Sequence, residues 1–136
     1  TTFAGGTNWK QVSSGYRHTA AIKTDGTLWT WGYGSLGKLG NGATYGSIST
    51  PVTTFAGGTN WKQVSCTTVH TAAIKTDGTL WSWGYGDSGQ LGNGQTTRKS
   101  TPVTTFAGGT NWKQVSGGTN HTAAVQAGIN AEYPLS

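Results

Sequence analysis

The chain contains no methionine and one cysteine, Cys66, among 136 residues. A lone thiol excludes an internal disulfide. Nothing around Cys66 supports a functional thiol, so it reads as a small buried hydrophobe. The missing methionine implies that the chain begins after processing or forms part of something longer. Charge is also scarce: Asp, Glu, Lys and Arg make up 10% of residues, which leaves solubility to Thr, Ser, Asn and Gln. No segment has the character of a signal peptide, and no apolar run is long enough to span a membrane. Aliphatic core formers are sparse. In their place stand 23 glycines and 7 tryptophans. Burial must then come largely from aromatic rings, which contribute much area per residue. The glycines fit many turns better than disorder, because the apolar positions stay in register along a repeat.

The repeat is measured from the segment Phe-Ala-Gly-Gly-Thr-Asn-Trp-Lys-Gln-Val-Ser, which starts unchanged at Phe3, Phe55 and Phe106, at offsets of 52 and 51 residues. A period of about 50 residues indicates a solenoid, an array or a propeller, in which each unit buries its face on its neighbour. Inside the period lies a module running from His18 to Gly32, His-Thr-Ala-Ala-Ile-Lys-Thr-Asp-Gly-Thr-Leu-Trp-Thr-Trp-Gly. It returns from His70 to Gly84 with one change, Thr30 to Ser82, and a third copy starts at His121 and diverges after Gln126. The module reads as two strands joined by a tight turn. Asp25-Gly26 and Asp77-Gly78 supply the positive φ that two-residue hairpin turns require. Beyond the turn, Leu28 and Thr30 face one way while Trp29 and Trp31 face the other. Both faces carry side chains worth burying, as in a sheet packed between two others.

One period holds four short strands, over 61–65, 71–76, 79–83 and 103–106, with a Gly-rich loop over 84–100 before the last. Pro102 at the start of the fourth strand suits an outer edge, where a missing N–H leaves no ladder bond unmade. No segment has helical periodicity with caps. Four antiparallel strands per Trp-rich unit describe a propeller blade. The expected fold is therefore all-β: a single repeat array over 1–136, with blades at 9–55 and 61–106, a partial blade at 112–126 and a divergent tail at 127–136. That is about 2.6 repeats and an incomplete ring, since a closed propeller has about four to eight blades. Thr1-Thr2-Phe3 reads as the tail of an outer strand whose blade is missing. Trp9, Trp31, Trp61, Trp83 and Trp112 are expected to be mostly buried between blades.

The run from His70 to Gly84, followed by Gly89-Gln-Leu-Gly-Asn-Gly94 and Pro102-Val103, resembles the regulator of chromosome condensation repeat. The resemblance covers nearly the whole chain and implies β-propeller blades. It makes His18, His70 and His121 blade-stabilising residues that hydrogen-bond backbone in the sheet. The chain departs from the family pattern at Gly34 and Gly86, where Asn is frequent. It also departs at Lys38, which stands where Gln90 does, and at Thr67, which stands where Gly15 and Gly118 do. The resemblance also implies regulatory roles, since the family includes a nucleotide exchange factor for a small nuclear GTPase and a secreted β-lactamase inhibitor.

Several motifs point to chemistry that their context does not support. Gly32-Tyr-Gly-Ser-Leu-Gly37 and Gly84-Tyr-Gly-Asp-Ser-Gly89 match GxGxxG, but a dinucleotide site needs a helix opening at the last glycine, and Leu-Gly-Asn-Gly follows. The three histidines occur one per repeat, too far apart to share a metal. Asp25 and Asp77 belong to turns, Asp87 to a loop and Glu132 to the tail, so no Ser or Cys has a His–carboxylate partner. No catalytic, cofactor or metal site is expected, and the chain reads as no enzyme. Asn120-His121-Thr122 matches a glycosylation acceptor at the start of a strand, where it is fortuitous. The net charge of +5 raises nucleic acid as a partner, but the lysines recur singly at Lys10, Lys62, Lys113 and at Lys23, Lys75. They form no run, which leaves nucleic acid possible and not favoured.

Function is then expected in loops that vary on a copied frame. The varying segments are 15–17, 67–69 and 118–120, together with 35–36 against 87–88 and 43–49 against 95–99. They nominate Tyr16, Arg17, Tyr45, Val69, Asp87, Arg98 and Asn120 as partner-binding residues, Tyr and Arg being common interface anchors. The expected role is a non-enzymatic structural or protein-interaction module within a larger assembly, self-associating through exposed blade edges or belonging to a longer propeller. A regulatory propeller that binds one protein partner through its variable loops, exchange-factor-like or inhibitor-like, is the alternative. The Thr/Gly-rich, low-charge composition favours an extracellular or virion-associated setting over a cytoplasmic one.

Overall fold

The computed structural model describes residues 6–127. They form β1 (Trp9–Ser14), β2 (His18–Lys23), β3 (Leu28–Tyr33), β4 (Ser47–Thr53), β5 (Trp61–Cys66), β6 (His70–Lys75), β7 (Leu80–Gly84), β8 (Lys99–Thr104), β9 (Trp112–Gly117) and β10 (Thr122–Gln126). The sheets run β1-β2-β3-β4, β5-β6-β7-β8 and β9-β10, every pair antiparallel. These are two propeller blades and a pair of strands from another. The reading of Thr1-Thr2-Phe3 as an outer strand, and that of the tail beyond Ala127, lie outside the described residues.

The fourth strand differs from the sequence reading. It starts at Lys99, contains Pro102 and ends at Thr104, which shortens the preceding loop and leaves Phe106 83% exposed. Proline is tolerated inside it because β8 is an edge strand, and the pairing with β7 is already irregular between Ser82 and Gly84. The two strands before it each sit about one residue away from their expected bounds.

The hairpin turn differs too. Lys23 N–H donates to Thr27 O at 3.0 Å, enclosing three residues, and only Gly26 has positive φ, at 84°. Asp25 does not enter the left-handed region; its Oδ1 accepts from Thr27 N–H at 3.0 Å and from Thr27 Oγ1–H at 2.6 Å. This is the three-residue hairpin with glycine at its last position, and Asp77, Gly78 and Thr79 repeat it. The turn also docks on the linker to the next blade. Trp61 N–H donates to Gly26 O at 2.9 Å and Trp112 N–H to Gly78 O at 3.0 Å. A Cβ on Gly26 would run into the Thr59 carbonyl, and one on Gly78 into that of Thr110.

The core lies between blades, because each sheet is apolar on both faces. Ala20, Ile22 and Leu28 of the first blade meet Trp61, Val64, Cys66 and Trp83 of the second. Ala72, Ile74 and Leu80 then meet Val115, Trp112 and Ala124. Trp61 and Trp83 pack edge-to-face with centroids 6.1 Å apart, and the Trp83 indole N–H donates to Lys38 O at 3.0 Å. Cys66 belongs to this core, and burial pushes its thiol up to about 12.

Not all five tryptophans are as buried as expected. Trp61 and Trp83 are 1% and 0% exposed, whereas Trp9, Trp31 and Trp112 are half-buried. Trp31 lies on the first blade's outer face, where Val12 is 66% exposed although its counterpart Val64 is 2% exposed. Between the second blade and β9-β10 lies a cavity of about 320 Å³, bordered by Leu80, Gln90, Leu91, Gly92, Trp112 and His121. Gly92 corresponds to Gly40, against which Trp83 packs one blade earlier, so the cavity marks the position of a Trp83 equivalent.

Candidate functional site

Polar side chains join the blades in a repeated pattern. Gln11 donates to Val64 O at 2.7 Å and accepts from Val64 N–H at 2.9 Å. Ser13 Oγ accepts from Cys66 N–H at 2.9 Å. At the next junction Val115 N–H donates to Gln63 Oε1 at 2.7 Å and Gly117 N–H to Ser65 Oγ at 3.1 Å. The histidines complete the pattern. Thr71 Oγ1–H donates to Lys38 O, so the His18 Nε2–H must be what reaches Thr71 Oγ1 at 2.9 Å. By the same logic His70 Nε2–H donates to Thr122 Oγ1 at 2.7 Å, while Thr122 Oγ1–H donates to Gln90 O.

The resemblance implied that these rings bond sheet backbone; they bond threonine hydroxyls of the next blade instead. Burial foremost, then the charges of Lys38 and His70, pushes His18 down to about 4; burial and His121 do the same to His70. Thr67, which replaces a glycine of the sister blades, adds a hydroxyl 2.8 Å from His70 Nδ1 and accepts from His70 N–H.

With antiparallel strands in sequential order, the β1–β2 and β3–β4 loops share one rim and the Asp25 and Asp77 turns the other. All seven nominated residues lie on the first rim. Tyr16 and Tyr45 are 67% and 81% exposed; Arg17, Asp87, Arg98 and Asn120 are exposed, and Val69 is half-buried. Tyr16 and Arg17 come together, the guanidinium lying 5.0 Å from the ring centroid. Tyr45, Val69 and Asn120 sit in separate loops. Asp87 stands beside Tyr85, whose hydroxyl it holds above its usual range, with Arg98 acting weakly the other way. A shallow cavity of about 280 Å³ opens between the inner loops, bordered by Ser14, Gly15, Tyr16, Thr67, Thr68 and Gly118.

Two rim residues were missed by the sequence reading. Tyr33 has Arg17 at 5.7 Å and Lys38 at 5.1 Å from its ring centroid. Lys38 is 3% exposed and donates through Nζ to Thr68 O at 3.3 Å. The signal for Lys38 was its departure from Gln90; Tyr33 lay hidden inside the GxGxxG-like run. That run spans the end of β3 and the turn that follows it. Its Ser35–Gly37 segment is a three-residue 3-10 helix with Leu36 at φ 65°.

A model of the regulator of chromosome condensation (RCC1) repeat matches residues 25–74 and 77–125, and a second model of that repeat matches 9–38 and 61–90. The chain is similar to the ultraviolet-B receptor UVR8 of Arabidopsis thaliana, at 36% identity over 92 residues, covering 68% of this chain and 21% of the receptor. Among solved structures, human WBSCR16 superimposes with a TM-score of 0.75 at 22% identity, over 88% of this chain and 31% of that one. Yeast RCC1 (Prp20) bound to Kap60 does so with a TM-score of 0.73 at 17% identity, over 90% and 31%. The fold of both is shared, and the chain spans about a fifth of the receptor's length and under a third of each solved chain.

Proposed function

The chain belongs to the regulator of chromosome condensation (RCC1) repeat family, and from that premise we propose that it serves as a non-enzymatic protein-interaction module within a larger propeller. Its blade faces join further blades, supplied by a second copy or by the remainder of a longer propeller, and its loop-bearing rim meets the partner. One observation carries this reading. The junction formed by Gln, Ser and His is written twice inside the chain, and among the described residues its two unmatched halves lie at the outer faces. Val12, Ser14 and Thr19 stand on the first blade where Val64, Cys66 and Thr71 receive these bonds one blade later, and the exposed Gln114, Ser116 and His121 present the giving half on β9-β10. A blade face with unpaired strand edges is a surface that proteins cover, and head-to-tail contacts of this kind close a ring or run on as a filament. The placement of all seven nominated residues on one rim, and the likeness to yeast RCC1 (Prp20) solved with Kap60, support the partner-binding part.

Sedimentation of the chain over a micromolar concentration series tests the assembly. Association that Val12→Asp weakens is the expected result. A stable, folded monomer with both faces open would overturn it.

A further inference from the structure

We propose that the first blade's share of the loop-bearing rim, built from Arg17, Lys38, Tyr16 and Tyr33, binds an acidic peptide segment of a partner protein. The inference rests on the reading of that rim as the partner surface and gives the partner its chemistry.

Arg17 and Lys38 lie against the same Tyr33 ring, and Arg17 also stacks on Tyr16. They repel each other: after burial, Arg17 is what pulls the Lys38 ammonium below its usual range. Like charges held together without a counter-ion favour an anion between or above them. The carboxylates among the described residues are committed elsewhere. Asp25 and Asp77 bond Thr27 and Thr79 on the opposite rim, and Asp87 stands by Tyr85 in the second blade.

The ammonium of Lys38 is fixed, with the side chain packed to 3% exposure and Nζ held by the Thr68 carbonyl. Its charge is near enough to Arg17 for the two to act on each other, and the exposed Arg17 guanidinium has the planar fork that receives a carboxylate bidentately. Beside it Tyr16 and Tyr33 are 67% and 42% exposed, residues with large contact area and few rotors, suited to peptide backbone and side chains.

On a nearly identical frame the second blade keeps only the tyrosine of this arrangement, Tyr85 for Tyr33. Val69 stands for Arg17, Gln90 for Lys38, Thr68 for Tyr16, and Asp87 occupies the place of Ser35. It is a built-in control. Nucleic acid fits less well, because binding a phosphate backbone takes a row of cations, and of the opposite-rim lysines Lys23 and Lys75 lie over tryptophan rings.

The experiment uses a fluorescein-labelled peptide of alternating Glu and Gly, read by anisotropy against the whole chain. The test variant, Arg17→Val with Lys38→Gln, copies the second blade's residues, so the frame already accommodates them; a thermal melt confirms folding. Expected are saturable binding, loss of at least tenfold in affinity in the double variant, and weakening as NaCl rises from about 50 to about 300 mM. Undiminished binding by the folded double variant overturns the proposal, as does tighter binding of a single-stranded oligonucleotide of equal charge or no binding by the wild-type chain. Loss of binding in Tyr45→Ala or Arg98→Ala but not in the double variant overturns this site while leaving the rim as the partner surface. Loss only in Lys10→Gln with Lys62→Gln overturns both, by moving the binding to the other rim.

Discussion

The first and second blades share the same module with one residue changed, yet they live in different surroundings. Trp83 is fully buried and bonded to Lys38 O, while Trp31, the same residue one repeat earlier, is half-buried. Val64 and Val12 differ in the same way. Identical side chains therefore hold very different free energies of burial, depending on whether a blade covers them. In a repeat array the stabilising unit is the junction between neighbours and not the repeat itself.

The largest expected effect breaks that comparison directly. Trp83→Ala should lower the unfolding free energy by about 3–5 kcal/mol and Trp31→Ala by about 1 kcal/mol, measured by denaturant titration. Equal costs would mean that the first blade's outer face is covered too.

Acid should act on the junctions next. His18 and His70 ionise at about 4 in the folded chain and near 6.5 when unfolded. As pH falls below 6.5 the unfolded chain takes up protons first, so stability is full above that value and drops until pH reaches about 4. The loss is up to about 3 kcal/mol per ring. Chemical denaturation at pH 7.5 and pH 4.5 measures it, and replacing both histidines by Gln should flatten the profile.

The turns offer a place where the blades should not differ. Gly26→Val and Gly78→Val each combine positive φ with a clash against a linker carbonyl, and each should cost about 2 kcal/mol. Thermal melts of the two variants should shift alike, and a marked inequality would show that one turn is less firmly docked.

The smallest effect separates the three Gln copies. Gln11→Ala and Gln63→Ala remove bonds to strand backbone across a junction and should cost about 1 kcal/mol each. Gln114→Ala, at an exposed site, should stay within about 0.5 kcal/mol. A cost for Gln114 that grows with protein concentration would be evidence that the outer face pairs with another copy.

Much of the fold was legible because repetition amplifies weak local signals. The alternation of Leu28 and Thr30 against Trp29 and Trp31 marked a two-faced strand, and Gly26 and Gly78 marked the turn. The turn's length was misread because Asp-Gly also closes three-residue loops, and the choice lay with the Thr27 side chain. Pro102 lies inside the fourth strand and does not mark its beginning, because an edge strand carries proline in its interior. The rim loops could be nominated by their variation alone. What sequence could not supply was which of them meet, since Arg17 comes from the β1–β2 loop and Tyr33 and Lys38 from the end of β3 and the loop after it.

The amino-acid sequence by itself determined the period, the blade count and the two-faced character of each sheet, because these follow from local patterns repeated at a constant interval. Only the tertiary structure decided which copies of an identical residue are buried, which histidine nitrogen faces which hydroxyl, and that two cations share one tyrosine ring. The physical reason is that burial, desolvation and charge repulsion depend on what lies across a junction, and that neighbour is contributed by residues about 50 positions away.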